Sequence, residues 1–411
     1  MSVSAFFKCK KTITRLHTGP LGIYMKAYAE RLISEDHCYQ SGDRNIRVVA
    51  DYSAWLARKR YKVTDINEAS ILKYEQFRQN HRHPFLSDHA ALVRLIKVLR
   101  ALNATAAATI ILDPLSQIIQ DFEQHLMQNH GLCETSVIKH RIPLRKFLWQ
   151  RCPDGVSSFS SLRGQDVRRF LVQHVHDQSP SSAKNMCWTL RAFARYLLYK
   201  GHTTYNLSFA VPSIRTWSLT TLPEHLSSEQ IKKVLNSCDK SSTVGLRDYA
   251  VLMLLSRLGL RANEIALLKL DDINWHAGNL NIRGKGRTLI SLPLLPEVGA
   301  ALSDYLQNAR PKTDSRSVFV RSLAPHSQFA SSAGISQIAK AALLRAELIL
   351  KHKGTHIFRH SLATNLLQAG ASLSEIGQLL RHKSHDSTRI YAKVDIDGLR
   401  ALAMPWPGVA Q

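Results

Sequence analysis

The sequence predicts a mainly α-helical protein with one small β element in its C-terminal part, an α+β class. Three observations lead there. Apolar residues recur at helical spacing through most of the 411 residues. Apolar alternation at period two is confined to Asn279–Arg283 and Thr288–Leu292, on either side of Gly284-Lys285-Gly286-Arg287, which reads as a β-hairpin turn. A stretch rich in Pro, Ser and Thr at 213–223 breaks the helical pattern, and the length suggests two or three domains.

Taken in order, residues 20–112 hold amphipathic segments. Val48 to Leu56 repeats apolar residues at helical spacing, and Thr64 to Leu72 reads as a capped second helix. Residues 115–210 repeat the plan. Ile142 to Trp149 is a helix with Leu144, Phe147 and Leu148 on one side, followed by a Pro/Gly/Ser loop at 153–161. Ser161 to Phe170 then resembles the Thr64 stretch, as a diverged internal repeat or as one of two unrelated helical hairpins. Residues 184–200 form a basic helix. It either lays Arg191, Arg195 and Lys200 against phosphates or presents an ordinary solvated face. Beyond the linker, Ser227-Ser228-Glu229-Gln230 opens a helix with a capping box, and Gly245 to Leu258 is apolar enough to be buried. After the two strands, helices resume near 297 and continue to the end.

Lys and Arg total 55 against 31 Asp and Glu, a formal charge of +24. Hydrophobic residues at 45% and charged residues at 21% describe a folded chain rather than a disordered basic tail. The charge is spread: residues 1–212 carry 30 basic and 16 acidic side chains, and residues 213–411 carry 25 and 15. A fold positive throughout points to a polyanion, usually nucleic acid, against the plain alternative of a basic soluble protein. No transmembrane span is expected, because Val251 to Leu270 contains Arg257, Arg261, Glu264 and Lys269. With no secretion signal evident either, an intracellular location is expected. The six cysteines form no Cys-x-x-Cys pair. His81 and His83 lack further ligands at metal-site spacing and read as a surface loop, so no metal is expected.

Six polar residues in the C-terminal part carry the chemistry: Arg261, Lys285, His356, Arg359, His382 and Tyr391. Each alone is unremarkable. Together, Leu258-Gly259-Leu260-Arg261-Ala262-Asn263-Glu264, the hairpin Lys285, His356-Ile357-Phe358-Arg359-His360-Ser361-Leu362-Ala363-Thr364, Leu380-Arg381-His382 and Tyr391 form an ordered set. In that order they resemble the tyrosine recombinase (phage integrase) family. The resemblance covers roughly residues 224–400, with weaker motifs in the preceding helical section. Phe358 stands where leucine is more usual, and Arg381 where glycine is common.

The chemistry suits such a site. Charge building on a five-coordinate phosphorus is stabilised by fixed cations, and arginine forks match phosphate oxygens. The resemblance implies that Arg261 and Arg359 clamp the phosphate and that Tyr391 forms a 3′-phosphotyrosine. It makes Lys285 the acid for the leaving 5′-oxygen, and His356 the proton acceptor or hydrogen-bond partner near the tyrosine. His382 becomes a donor to a phosphate oxygen, and Glu264 the residue that orients the clamp. It implies no metal and no other cofactor. The expected domains are a helical extension at 1–112, a helical core-binding (SAM-like) domain at 113–212, a linker at 213–223, and a catalytic domain at 224–411. The core-binding and catalytic domains would form a clamp on DNA. Candidate DNA contacts are Arg191, Arg195, Lys200, Arg215 and Arg287. Expected partners are double-stranded DNA and other recombinase subunits in a homo- or hetero-tetramer, in the cytoplasm and on the nucleoid, serving a mobile element. The extension is expected to bind DNA or to organise assembly, and the apolar tail from Val394 to dock in cis or in trans. Competing readings are a non-catalytic DNA-binding relative and a type IB topoisomerase.

Overall fold

The computed structural model describes residues 3–79, 86–106, 114–152, 159–176, 178–215, 224–284, 289–382 and 386–392. The chain divides into two compact units, one of Met1–Ala107 with Thr221–Gln411 and one of Ala108–Thr220.

The first helices are α1 (Lys10–Leu16), α2 (Met25–Ser34), α3 (Tyr39–Arg58), α4 (Glu68–Gln79) and α5 (Leu86–Ala101). Their buried side chains share one core, with Tyr52, Trp55 and Tyr74 in ring contact. The expected helix at Thr64 starts later than the sequence suggested. Val63–Asp65 is a 3-10 turn, and the cap belongs to Asn67, whose backbone N–H donates to Ser70 Oγ at 3.0 Å.

The second unit contains α6 (Pro114–His130), α7 (Glu134–Arg151), α8 (Gly164–Val175) and α9 (Pro180–Tyr199). Phe122, Phe147, Phe159, Phe170 and Phe193 fill its core. Burying an aromatic ring removes 150–250 Å² from water, so these rings dominate the cohesion of the unit.

The remaining elements are α10 (Ser228–Asn236), α11 (Thr243–Arg257), α12 (Ala262–Ala266), β1 (Ile273–Asn274), β2 (Asn279–Arg283), β3 (Leu289–Pro293), α13 (Pro296–Asn308), α14 (Ala333–Arg345), α15 (His356–Gln368), α16 (Leu373–Leu379) and α17 (Asp386–Ala392). The sheet is antiparallel in the order β1-β2-β3, with Leu280 opposite Leu292. Its first strand is an addition to the two expected: two residues are too few to show a period. Helix α11 lies at the centre, against α13, α14 and α15. The Ser227 capping box forms, with Gln230 N–H donating to Ser227 Oγ at 3.2 Å. Helices do not run on unbroken after 297, because 309–332 is irregular and is held by single bridges such as Lys269 to Ser317. Ser361 ties the start of this region to α15, its hydroxyl accepting from Leu226 N–H at 2.7 Å. No helix among the described residues is long and apolar enough to cross a membrane. His81 and His83, the linker from 216 to 223 and the tail from Val394 lie outside the described residues.

Candidate active site

Three segments bring the site together. The turn from α11 to α12 carries Arg261, α15 carries His356, Arg359 and His360, and the segment from α16 to α17 carries Arg381, His382 and Tyr391. Gly259 makes the first turn possible. Its φ is +57°, and a Cβ there would lie 2.8 Å from Leu380 Cδ2 and 3.0 Å from Leu362 Cδ2. Positions 356, 359 and 360 are three and four apart, so they share one face of α15.

Glu264 is the hub. It is 7% exposed and takes three hydrogen bonds. Arg261 gives its backbone N–H at 2.8 Å and Nη1 at 2.8 Å, and Arg381 gives Nη2 at 2.9 Å. Arg359 is 5% exposed and donates to the Gly259 carbonyl at 2.5 Å and to the Leu380 carbonyl. Two guanidinium groups therefore share one carboxylate, and a third, that of Arg359, is held by carbonyls with no carboxylate bonded to it. The excess shows in Arg359, whose pKa falls to about 9 through burial and through repulsion from Arg261 and Arg381. At neutral pH it remains a cation in need of an anion.

Tyr391 is 1% exposed and packs among Ala363, Ile376 and Leu380. Burial raises its pKa, opposed by Arg359 and Arg261. Its hydroxyl lies 3.0 Å from His360 Nδ1. The tyrosine's imidazole partner is thus His360, one turn further along α15 than the expected His356. The His356 and His360 ring centres are 6.5 Å apart. Burial and neighbouring arginines lower the pKa values of His356, His360 and His382, the last to about 4, so all three are neutral at pH 7. A neutral ring has one accepting nitrogen, and His360 Nδ1 is placed to take the phenolic proton. His382 stacks parallel to Tyr391 with centroids 6.4 Å apart, and its Nδ1 meets Thr388 Oγ1 at 2.8 Å.

The phage integrase family model matches residues 224–397, and the model for the phage integrase N-terminal SAM-like domain matches residues 119–201. A Sinorhizobium fredii protein named as an integrase/recombinase, y4rA, is 39% identical over 410 residues, 99% of this chain and 99% of its own. The tyrosine recombinase XerD of Listeria monocytogenes is 30% identical over 285 residues, 68% of this chain and 95% of its own. The chain belongs to the phage integrase family of tyrosine recombinases. Its reaction is site-specific DNA breaking and rejoining. Among solved structures, the XerH site-specific recombinase bound to palindromic difH substrate aligns with a TM-score of 0.56 at 22% identity, over 76% of this chain and 89% of its own. DNA-bound λ integrase (residues 75–356) aligns with a TM-score of 0.52 at 18% identity, over 69% and 98%. These two likenesses concern the fold.

Within this recombinase, the structure gathers Arg261, Glu264, His356, Arg359, His382 and Tyr391. Lys285 and Arg287 lie outside the described residues. Of the other basic candidates, Arg191 is engaged by its own unit, donating to the carbonyls of Val211 and Pro212 at 3.1 and 3.0 Å, so it is not a free cation on a solvated face. Arg195, Lys200 and Arg215 are exposed. Sequence reasoning missed two members. His360 was hidden by His356 in the same motif. Arg381 stood out only as an arginine where glycine is common, and its partner Glu264 is 117 residues away. One signal was available: an arginine where glycine is common marks a backbone position that glycine suits, and Arg381 has φ +55°.

Proposed function

We propose that this recombinase cleaves and rejoins duplex DNA through a 3′-phosphotyrosine at Tyr391 and a Holliday junction. It would work in an assembly of four recombinase subunits on behalf of a mobile element. One observation carries the assignment of residues: beside a buried tyrosine, two arginines share a single buried carboxylate and a third, buried, is bonded to carbonyls alone among the described residues. That surplus of positive charge is matched by one phosphodiester.

In the proposed step, Tyr391 Oη attacks the scissile phosphorus and its proton passes to His360 Nδ1. The bond from phosphorus to the 5′-oxygen breaks, and that oxygen takes a proton, by family resemblance from Lys285. Arg261 and Arg359 hold the non-bridging oxygens, where charge develops in the transition state. His382 donates from Nε2, since its Nδ1 is engaged by Thr388. His356, a turn before His360 on the same face, adds a second neutral donor. Attack by another strand's 5′-hydroxyl reverses every transfer and rejoins the DNA. Residues 113–212 would grip the duplex, with Arg195, Lys200 and Arg215 on phosphates, while 224–411 carries the chemistry. That XerH and λ integrase are bound to DNA in their structures supports the DNA partner, and the λ integrase tetramer on a Holliday junction, which aligns with a TM-score of 0.52, supports a multimeric assembly.

The test is a nicked suicide duplex carrying the element's end. The wild type should yield a denaturant-stable protein–DNA adduct, and Tyr391→Phe none. An adduct undiminished in Tyr391→Phe removes the proposal. Relaxation of arbitrary supercoiled plasmid would favour the topoisomerase reading.

A further inference from the structure

The helices α2–α5 repeat the packing pattern of α6–α9. In each set the first helix packs on the second and fourth, the second on the fourth, and the third on the fourth. In the first helices, the buried Met25, Tyr28, Ala29 and Leu32 match Leu115, Ile118, Ile119 and Phe122 at one constant spacing. In the fourth, Leu92, Leu95, Ile96 and Leu99 match Leu190, Phe193, Ala194 and Leu197 at another. Changes in spacing fall between the helices.

The finer geometry repeats too. Helices α4 and α8 both have 12 residues. Each opens on a capping contact from the backbone N–H preceding the helix, Asn67 to Ser70 Oγ at 3.0 Å and Arg163 to Asp166 Oδ2 at 2.9 Å. Each third helix sets one ring edge-on against the second helix, Tyr74 on Trp55 at 5.6 Å and Phe170 on Phe147 at 5.1 Å. Both fourth helices end in a left-handed residue, Asn103 at φ 53° and Gly201 at φ 73°. Both ends close with a 2.9 Å bond, Ala104 N–H to the Leu99 carbonyl and His202 N–H to the Leu197 carbonyl. A buried threonine follows each, Thr105 and Thr203. Unrelated hairpins would not share caps, ring pairs and terminators at matched positions.

Charge repeats with the fold. Residues 25–105 hold 14 basic and 9 acidic side chains, and residues 115–203 hold 12 and 6. Matched positions are basic in both copies: Arg47 with Lys139, Lys59 with Arg151, Lys73 with Arg169, and Lys97 with Arg195. The last two pairs are exposed in both.

We infer that residues 25–105 are a second copy of the α6–α9 module and hold a further stretch of duplex DNA, through the phosphate backbone. This rests on the reading that α6–α9 itself grips DNA. An assembly surface would have no need to keep cations at the matched exposed positions.

The test measures affinity of the full chain for a long duplex of arbitrary sequence across a salt series. Each lost phosphate contact lowers the slope of log K against log salt by about 0.9, so Lys73→Glu with Lys97→Glu should reduce it by about 2. The hydroxyl-radical footprint on that duplex should shorten. Arg169→Glu with Arg195→Glu reports on the other copy. Shallower binding by this second variant, with wild-type slope and footprint in the first, overturns the inference alone. No adduct from the wild type, with no slope change in either variant, overturns the underlying reading. Loss of subunit assembly at an unchanged slope also overturns the inference, in favour of a contact role. Circular dichroism checks folding, and Lys73→Gln with Lys97→Gln replaces the reversal variant if that unfolds.

Discussion

The α6–α9 core and the Tyr391 pocket are both buried, with opposite chemistry. The core sets Phe147 edge-on against Phe170, and Phe122 against Phe193, with no charge among them. The pocket buries Glu264, Arg359 and Arg381 beside Tyr391. Apolar burial stabilises roughly in proportion to area, whereas buried ions only recover their lost hydration. The core is therefore built for cohesion, and the pocket accepts a poor electrostatic balance that an incoming phosphate corrects. Substitutions in the two places should fail in different ways.

The largest effect falls on chemistry. Arg359→Ala removes the most buried cation, and its rate of adduct formation in single turnover should fall by about 10²–10³-fold. Arg359→Lys should recover only part, because lysine cannot supply the planar fork. If Arg359→Ala lowers the melting temperature but spares the rate, the contrast between pocket and core is lost, and Arg359 is a strut between the Gly259 and Leu380 carbonyls. Next is a change in cohesion alone. Phe147→Ala should cost about 3–5 kcal/mol in urea denaturation, from lost burial and a residual cavity. Trp55→Ala, at the matched position in α3, should cost a similar amount. A much smaller loss for Trp55→Ala would mean that the earlier copy is loosely packed and does not share the later one's role.

The sequence was most legible where spacing is local. His356 and Arg359 lie one turn apart on a helix, and the Ser227 capping box spans four residues, so both could be read directly. The two hairpin strands showed themselves by alternation, while β1 was too short to alternate. The repeat showed itself only around α4 and α8. Elsewhere the copies keep burial at most matched core positions but not residue type: Tyr28 stands opposite Ile118, and Trp55 opposite Phe147. Packing constrains volume and apolarity more than identity, so the match emerges once burial is known. The least legible contact was Arg381 with Glu264, which depends on tertiary folding across two segments.

That contact yields the smallest effect and the finest test. Arg381 holds a left-handed backbone at φ +55°, which costs about 1 kcal/mol relative to glycine. Its side chain gives Nη2 to Glu264, yet its Nε is buried with no hydrogen-bond partner among the described residues. Arg381→Gly relieves the backbone and removes the orphaned donor, but it discards a charge-assisted bond, so the melting temperature at neutral pH should change little. Glu264 keeps both bonds from Arg261, and the clamp stays in place. What changes is the field. Burial holds the His382 pKa near 4, below its ordinary 6.5, with help from Arg359 and Arg261 and a smaller push from Arg381. Without it the His382 pKa should rise, which a titration of the imidazole resonances would register. A histidine depressed in the folded state stabilises fully above pH 6.5 and loses that stability as pH falls through 4. The variant should therefore lose stability less steeply over that window than the parent. Cleavage should slow a few-fold, because one less cation attracts the phosphate. An unmoved His382 titration with an unchanged cleavage rate would make Arg381 a bystander, and the surplus charge of the pocket would rest on Arg261 and Arg359 alone.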